Sequence, residues 1–416
     1  MLTATPGTSW YRRIGFLTGL LLLAATAGVP ALAGPPTIAG CQVFPGDNIW
    51  NTMVDDLPLH PLSATFIDTI GPQTVVHPDF GSGQWDGGPI GIPFVVVPGN
   101  QPKVAVSFDY ADQSDPGPYP IPPDAPIEGG SGSSGDRHVL VLDQEHCLLY
   151  ETWSSYPAAG GSWQAGSGAI FDLSSNLLRP DSWTSADAAG LPILPGLVRY
   201  DEVAAGEITH ALRFTAPQTR REYVWPGRHY ASNLTASSYP PLGLRFRLRN
   251  DFDLSGFSSP IKTILTALKQ YGMILADNGS AWYLSGVPDP HWDDDTLVTE
   301  LRRLKGADFE ALDSSSLMVN SDSGQTAGAA AVPAGSLPDG DLDGDHFVTI
   351  ADALRALRIT VNLLPQTDSD LLHGDVAPRG TDGKSIPDGF VNVQDALTIL
   401  RAVVGLISIV PGPPPV

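Results

Sequence analysis

Basic side chains are scarce in this 416-residue sequence. Its 23 Lys and Arg residues stand against 45 Asp and Glu residues, which gives a formal net charge of −22 at pH 7. Every contact with a nucleic-acid phosphate needs a cation, and an anionic surface repels a polyanion, so we expect no nucleic-acid partner. The sequence also lacks a Gly-x-Ser-x-Gly elbow and a P-loop, so neither a serine hydrolase of that type nor P-loop nucleotide chemistry is indicated.

Long apolar runs are also rare, and the main one, Ile14 to Val29, lies near the amino terminus. It follows Arg12 and Arg13 and precedes the small residues Ala31-Leu32-Ala33, an order typical of an export signal. A membrane anchor is the alternative, but this run of 16 residues is shorter than the roughly 20 that span a bilayer. We predict that residues 1–33 are a signal peptide, that no membrane span remains after its removal, and that the protein is secreted to the extracellular space or cell surface.

Cysteine is limited to Cys41 and Cys147. In an oxidising compartment such a pair predicts one disulfide, with two free buried thiols as the alternative. Neither residue belongs to a Cys-x-x-Cys motif, so thiol redox catalysis and thiolate zinc sites are not indicated.

Glycine and proline are abundant instead, with 44 and 39 residues, which is typical of strands joined by many turns. Helix signals between residues 34 and 312 are few: Ser259-Pro260 precedes a helical pattern over Ile261 to Gln270, and a second pattern covers Thr296 to Leu304. We predict that 34–312 is a mainly β domain, a β-sandwich or jelly roll with a few helices. A β-propeller is the alternative, although no repeat of about 40 to 50 residues supports it.

One predicted strand, Leu244 to Leu248, alternates apolar and polar residues strictly. This alternation predicts one buried face and one face that is wet or lines a cleft.

Composition changes after the β domain. Residues 313–338 are rich in Ser, Gly, Ala and Asp and contain no aromatic residue, which predicts a flexible linker. A second domain over 339–407 and a Pro-rich tail over 408–416 follow.

The second domain contains an internal repeat, in which Val348 to Leu354 aligns with Val391 to Leu397 at an offset of 43 residues. An acidic loop begins each copy and an apolar helical pattern follows it. Oxygen groups at alternating loop positions can wrap a calcium ion, which takes roughly six to eight oxygen ligands, whereas a solvated acidic turn is the alternative. The predicted ligands are Asp341, Asp343, Asp345, Phe347, Thr349 and Asp352 in the first loop and Asp375, Asp388, Phe390, Asn392 and Asp395 in the second, with both phenylalanines acting through the main-chain carbonyl.

This segment, from about Gly340 to Ile407, resembles a type I dockerin, in which two calcium loops each precede a helix. The resemblance implies a small α-helical domain that binds calcium and docks onto a cohesin module of a scaffold protein. It also implies that Ile350-Ala351 and Val393-Gln394 face that partner. Dockerins usually accompany domains that act on polysaccharides, so a polysaccharide is the implied partner of the large domain.

Two features depart from the dockerin pattern. His346 stands where the family has glycine in the first loop. In the second loop an insert separates Asp375 from Asp388, and no ligand for the third loop position is identifiable. The second site is the one expected to be incomplete.

Polar residues on predicted strands are the candidates for chemistry in the large domain. His138 begins one strand, Glu151 ends another, His210 lies within a third, and Asp277 ends an apolar strand. If these strands are neighbours, the side chains could supply the acid and base for glycosidic cleavage, or imidazoles could hold a metal. The alternatives are histidines hydrogen-bonded within a sheet and, for Asp277, a plain turn residue.

Tryptophans lie in stretches rich in Gly, Pro, Ser or Asp, where their rings could bind sugar faces rather than pack in the core. These residues are Trp85, Trp153, Trp163, Trp183, Trp225, Trp282 and Trp292.

We therefore expect a secreted, dockerin-bearing protein that acts in polysaccharide breakdown as a glycoside hydrolase or polysaccharide lyase. Glu151 would be the acid or base, assisted by His138, His210 and Asp277. The alternative is a non-catalytic carbohydrate-binding or structural extracellular protein that is assembled through its dockerin-like module.

Overall fold

A computed structural model describes residues 34–327, 332–333, 340–342, 347–361, 363–366, 370, 373–380, 383–386, 390–404, 406–407 and 409. The predicted signal peptide and most of the predicted tail lie outside these residues. The helices in the described part are α1 Ser63–Ile70, α2 Tyr200–Ala205, α3 Ser259–Gln270, α4 Asp294–Leu301, α5 Ile350–Thr360 and α6 Val393–Val403.

Short strands make up most of the remaining regular structure. In chain order they are β1 Thr37–Ile38, β2 Cys41–Gln42, β3 His77–Asp79, β4 Gln84–Trp85, β5 Gly88–Pro89, β6 Phe94–Val97, β7 Val106–Phe108, β8 Val139–Asp143, β9 Leu148–Trp153, β10 Tyr156–Pro157, β11 Trp163–Ala165, β12 Ser167–Asp172, β13 Leu212–Ala216, β14 Arg245–Leu248, β15 Met273–Asn278, β16 Tyr283–Ser285, β17 Phe309–Ala311, β18 Val332–Pro333 and β19 Phe347–Val348.

The large domain is built on two principal sheets. A six-stranded sheet has the order β17-β14-β15-β13-β16-β3, and a four-stranded sheet has the order β12-β9-β8-β6. The prediction of a β-rich domain with a few helices is confirmed. The sheets are mixed, however, because β6 and β8, β7 and β11, β13 and β15, and β16 and β3 pair in parallel, unlike the strands of a jelly roll. Parallel neighbours require crossover connections, and the segment between β13 and β15 includes α3.

Helix α3 packs on the six-stranded sheet, close to where the sequence predicts it. Pro260 lies in its first turn, where a missing N–H removes no helical hydrogen bond. Ile261, Ile264, Leu265 and Leu268 are buried along one side. Their spacing of three and four residues therefore places the helix against the main hydrophobic core.

Strand β14 corrects the prediction made from its alternating pattern. Arg245 and Arg247, the polar residues of that pattern, are both buried. The Arg245 guanidinium donates to the carbonyl oxygens of Tyr271, Ile49 and Thr52 at 2.7, 3.1 and 3.2 Å, and burial lowers its pKa to about 9. Both faces of this strand are covered because arginine can satisfy several loop carbonyls at once.

The predicted linker starts with residues that belong to the large domain, namely 313–327. Gly324 accepts a hydrogen bond from the Ile49 amide at 2.7 Å. Thr326 is buried, and its hydroxyl lies 2.9 Å from that of Thr52. Short polar side chains bond backbone groups as readily as they bond water, so a composition rich in Ser and Asp does not by itself indicate a linker.

The C-terminal described residues form a separate hydrophobic cluster. Strand β18 pairs with β19 in antiparallel orientation, and α5 packs against α6. The cluster contains Ala353, Ala356 and Ile359 from α5 and Ala396, Ile399 and Val403 from α6.

The predicted disulfide between Cys41 and Cys147 is confirmed, with the two Cα atoms 5.4 Å apart. It links the start of the large domain to the turn between β8 and β9. None of the helices in the described ranges has the length and apolar character needed to cross a membrane.

We predict that the double variant Cys41→Ser, Cys147→Ser lowers the free energy of unfolding by about 2–4 kcal/mol, because the unfolded chain loses a constraint between residues separated by 106 positions. Urea denaturation followed by tryptophan fluorescence measures the change. Reduction of the unmodified protein should give a matching loss, and equal stability with and without the bond would refute the prediction.

Candidate functional site

A cavity of about 360 Å³ opens in the large domain. Its walls come from loops as well as from the ends of β9, β12 and β15. The lining residues are Tyr110, Gln113, Asp136, Trp153, Ser167, Thr184, Ser185, Ala186, Asp187, Ala188, His229, Ala231, Asp277 and Asn278.

Asp277 reaches this cavity from β15, next to an irregularity in the sheet. Phe214 pairs with Leu275 but Thr215 pairs with Asp277, so Ala276 is an extra residue in β15. Such a bulge bends a strand and redirects the side chains that follow it. Burial and the nearby Asp187 carboxylate raise the pKa of Asp277 to about 8, although Arg213 opposes this shift. The Asp277 carboxyl is thus largely protonated at neutral pH.

Asp187 and Arg213 form a buried ion pair behind the cavity wall. Arg213 Nε lies 2.6 Å from Asp187 Oδ2, and Arg213 Nη2 lies 2.8 Å from Asp187 Oδ1. Arg213 Nη1 also donates to the Ser285 hydroxyl at 2.6 Å. Because the guanidinium is committed to these partners, it lies 3.7 Å from Asp277 Oδ2 and neutralises that carboxyl only in part.

His229 faces the same cavity with a defined tautomer. Its Nδ1 lies 2.9 Å from the carbonyl oxygen of Ala188, which can only accept, so Nδ1 carries the hydrogen. In the neutral ring Nε2 then holds a lone pair, as a general base requires.

Aromatic rings form another part of the wall. Trp153 donates from its indole nitrogen to Asp136 Oδ1 at 3.1 Å. The rings of Tyr110 and Trp153 lie 6.5 Å apart with an interplanar angle of 36°. Trp163, Trp282 and Trp292 are instead buried in the core. Trp153 therefore lines the cavity, as predicted for a sugar-binding tryptophan, whereas Trp163, Trp282 and Trp292 pack in the core.

Of the four predicted catalytic residues, only Asp277 lines the cavity. His138 is buried behind it, with Nδ1 2.6 Å from Glu128 Oε2 and Nε2 3.0 Å from the Ala186 carbonyl oxygen. Burial alone would lower the pKa of His138, but the charge of Glu128 raises it to about 9. Both ring nitrogens therefore donate, and His138 braces a cavity wall rather than facing a ligand.

Glu151 and His210 also lie away from the cavity lining. Glu151 is fully buried and accepts hydrogen bonds from the amides of Ile193 and Leu194 at 2.8 and 2.9 Å. Burial raises its pKa to about 7. His210 lies 3.1 Å from Glu202 in helix α2. The expected convergence of the four side chains is not observed, because these two residues satisfy buried groups elsewhere.

The alternative of a histidine metal site finds no support in the described part of the chain, where no three His, Cys, Asp or Glu residues are arranged to hold a metal ion.

Sequence reasoning did not select Asp136, Asp187 or Arg213. Asp136 and Asp187 lie in loops of small residues, a context that is typical of ordinary turns. Arg213 lies in a predicted strand, where a charged residue surrounded by apolar neighbours was the available signal.

The C-terminal loops show a matching arrangement at their last predicted ligands. Asp352 accepts hydrogen bonds from the amides of Leu342 and Thr349, each at 2.7 Å. Asp395, which is 43 residues later, accepts from the amides of Val376 and Asn392 at 2.9 and 2.8 Å.

These contacts support the alignment of the two loops. Leu342 and Val376 each follow the first predicted ligand, so Asp375 is equivalent to Asp341. Asp375 follows Asp341 by 34 residues, whereas Asp395 follows Asp352 by 43. The second loop is therefore nine residues longer than the first. Asp343, Asp345, Asp388 and the Phe347 side chain lie outside the residues that can be described. The other predicted ligands would bind through oxygen atoms, which are the ligand atoms that calcium prefers.

We predict that His138→Gln lowers the free energy of unfolding by roughly 1.5–3 kcal/mol at neutral pH, because a charged hydrogen-bonded pair is lost. The folded pKa of His138 is raised to about 9, above an unfolded value near 6.5. Its stabilising contribution is therefore complete below about pH 6.5 and disappears as the pH rises through about 9.

Denaturation at several pH values tests this, with His146→Gln as control. His146 also pairs with a carboxylate, Asp143, at 2.8 Å, but it is exposed. A difference between the His138 variant and the unmodified protein that does not change with pH would contradict the prediction.

No protein-family model matches this chain, and neither the curated proteins nor the solved structures include a match to it.

Proposed function

We propose that the large domain is a secreted glycoside hydrolase and that Asp277 is its general acid. The observation that carries this proposal is a carboxyl with a pKa of about 8 in the wall of a cavity. Cleavage of a glycosidic bond needs an acid that is still protonated at the working pH, so that it can donate to the leaving oxygen.

His229 is the proposed base. Its Nδ1 bonds the Ala188 carbonyl, so Nε2 is available to take a proton from an attacking water. The water oxygen then bonds to the anomeric carbon while the bond to the leaving oxygen breaks. The proton from Asp277 goes to that leaving oxygen, which balances the reaction.

The aromatic wall supports a sugar as the ligand. The rings of Trp153 and Tyr110 offer apolar faces to the C–H surface of a pyranose, and Asn278, Thr184 and Gln113 offer hydrogen-bonding groups to hydroxyls. Hydrolysis is favoured over a lyase reaction. A lyase removes a proton next to a sugar carboxylate and needs a cation to neutralise that group, and no Lys or Arg is among the lining residues.

For residues 339–407 we propose a calcium-binding, dockerin-like docking module. The matching contacts of Asp352 and Asp395 support two loops of the same kind. Exposed apolar side chains on the two helices repeat at the same offset of 43 residues: Leu354, Leu357 and Val361 on and after α5, and Leu397, Leu400 and Val404 on and after α6. Two equivalent apolar stripes fit a partner protein of the cohesin type.

We predict that Asp277→Asn lowers kcat by about 10² to 10⁴ on a cleaved glycan, because general acid catalysis is lost. The rate of the unmodified protein should fall as the pH rises through about 8, as Asp277 ionises. Release of reducing ends measures both effects.

The matched control is Asp253→Asn, a surface carboxylate that accepts bonds from Ser255 and should leave kcat unchanged. Binding of glycans without any cleavage would support the non-catalytic alternative, and turnover that survives in Asp277→Asn would remove Asp277 from the mechanism.

We also predict that calcium raises the free energy of unfolding of the C-terminal module in the full-length chain, by about 2.7 kcal/mol at a hundredfold excess over Kd. The increment should be lost in Asp341→Asn and kept in Asp370→Asn, whose carboxylate pairs with Arg355 at 2.7 Å. Comparing calcium with chelator in calorimetry measures it. Equal increments in the two variants would argue against the loops as the binding sites.

A further inference from the structure

The charges around the cavity are of one kind. Its lining residues include Asp136, Asp187, Asp277 and His229 but no Lys or Arg. The guanidinium of Arg213, which lies beside Asp187 and Asp277, is committed to Asp187 and Ser285. A carboxylate or sulfate on a substrate would therefore find no Lys or Arg among the lining residues to balance its charge.

These carboxyls differ in how their charge is compensated. Asp187 is fully buried and neutralised by its two bonds to Arg213. Asp277 is close to the same guanidinium at 3.7 Å. Asp136 is exposed, and within the described residues no Lys, Arg or His forms an ion pair with it. Asp136 is thus the anionic group of the cavity whose charge a ligand could balance.

Aromatic rings adjoin this carboxylate. The Trp153 indole N–H bonds to Asp136 Oδ1 at 3.1 Å, which fixes the carboxylate beside the ring. The Tyr110 ring lies 6.5 Å from that of Trp153. Ammonium groups bind where a carboxylate and aromatic faces are close together, because the ring quadrupole and the negative charge act in the same direction.

We propose that Asp136, Trp153 and Tyr110 form a subsite for a primary ammonium group, and that the substrate is a glycan containing unacetylated amino sugars. This inference rests on the proposed glycoside hydrolase function. The net charge of −22 adds to it, since an anionic protein attracts a polycationic chain from a distance.

The test is calorimetric binding to the full-length Asp277→Asn protein, which holds substrates without turnover. The probes are hexasaccharides of glucosamine, N-acetylglucosamine, glucose and galacturonate, at a pH where the glucosamine amines are protonated. Glucosamine hexasaccharide should bind the most tightly and galacturonate hexasaccharide the least. A second substitution in this protein, Asp136→Asn, should weaken glucosamine binding roughly tenfold and glucose binding by less than about twofold. Asp124→Asn, an exposed carboxylate outside the cavity lining, is the control and should change neither.

The outcomes separate this inference from the function on which it rests. Binding of the glucose or N-acetylglucosamine oligomers as tight as that of glucosamine, together with their cleavage by the unmodified protein, would overturn the ammonium subsite and leave the hydrolase. Failure of every oligomer to bind would overturn both. If Asp136→Asn weakened glucosamine and glucose binding equally, Asp136 would shape the cavity wall without binding the ammonium group. This result would also contradict the proposed subsite.

Discussion

The buried pair of Arg213 and Asp187 is the interaction on which the cavity depends. Arg213 belongs to β13, inside the six-stranded sheet, whereas Asp187 belongs to the loop that forms the cavity wall. A buried charge without its partner is typically destabilising by about 3–5 kcal/mol, so the wall loop is held against the sheet wherever the fold exists. The same guanidinium lies near Asp277 and limits how far burial raises the pKa of that carboxyl. Arg213 therefore both holds the wall loop in place and lowers the pKa of Asp277, the proposed acid.

Buried arginines perform a similar task elsewhere in the large domain. Arg137 donates to the carbonyls of Ser155, Ser131 and Ser133, and Arg228 donates to those of Arg179 and Ser321. A domain with short strands and long connections has many carbonyl oxygens outside sheets, and each must find a donor when it is buried. Guanidinium groups supply several donors from one position, which lets irregular loops pack as tightly as regular elements. Arg137 and Arg228 thus organise loops in a chain with few basic residues.

Sequence patterns predicted features that depend on nearby residues. The Ser259-Pro260 start of α3 is such a local signal. The 43-residue repeat is visible when the sequence is aligned with itself, and the disulfide could be predicted over 106 positions because the sequence has no third cysteine. The site was predicted less well because its residues meet through distant contacts. A polar residue in a strand, such as Glu151, looks the same in sequence whether it faces a ligand or binds the amides of Ile193 and Leu194. The bulge at Ala276, which helps to direct Asp277, depends on pairing with β13 and has no turn residue to mark it.

The corrected end of the large domain bears on how the two parts of the chain are connected. Residues up to Ala327 pack on the large domain, and β18 at Val332 already pairs with β19 of the C-terminal segment. Four residues lie between them. Even fully stretched, five Cα–Cα steps cover only about 18 Å. Any partner bound to the C-terminal module would consequently be held close to the large domain by this short connection.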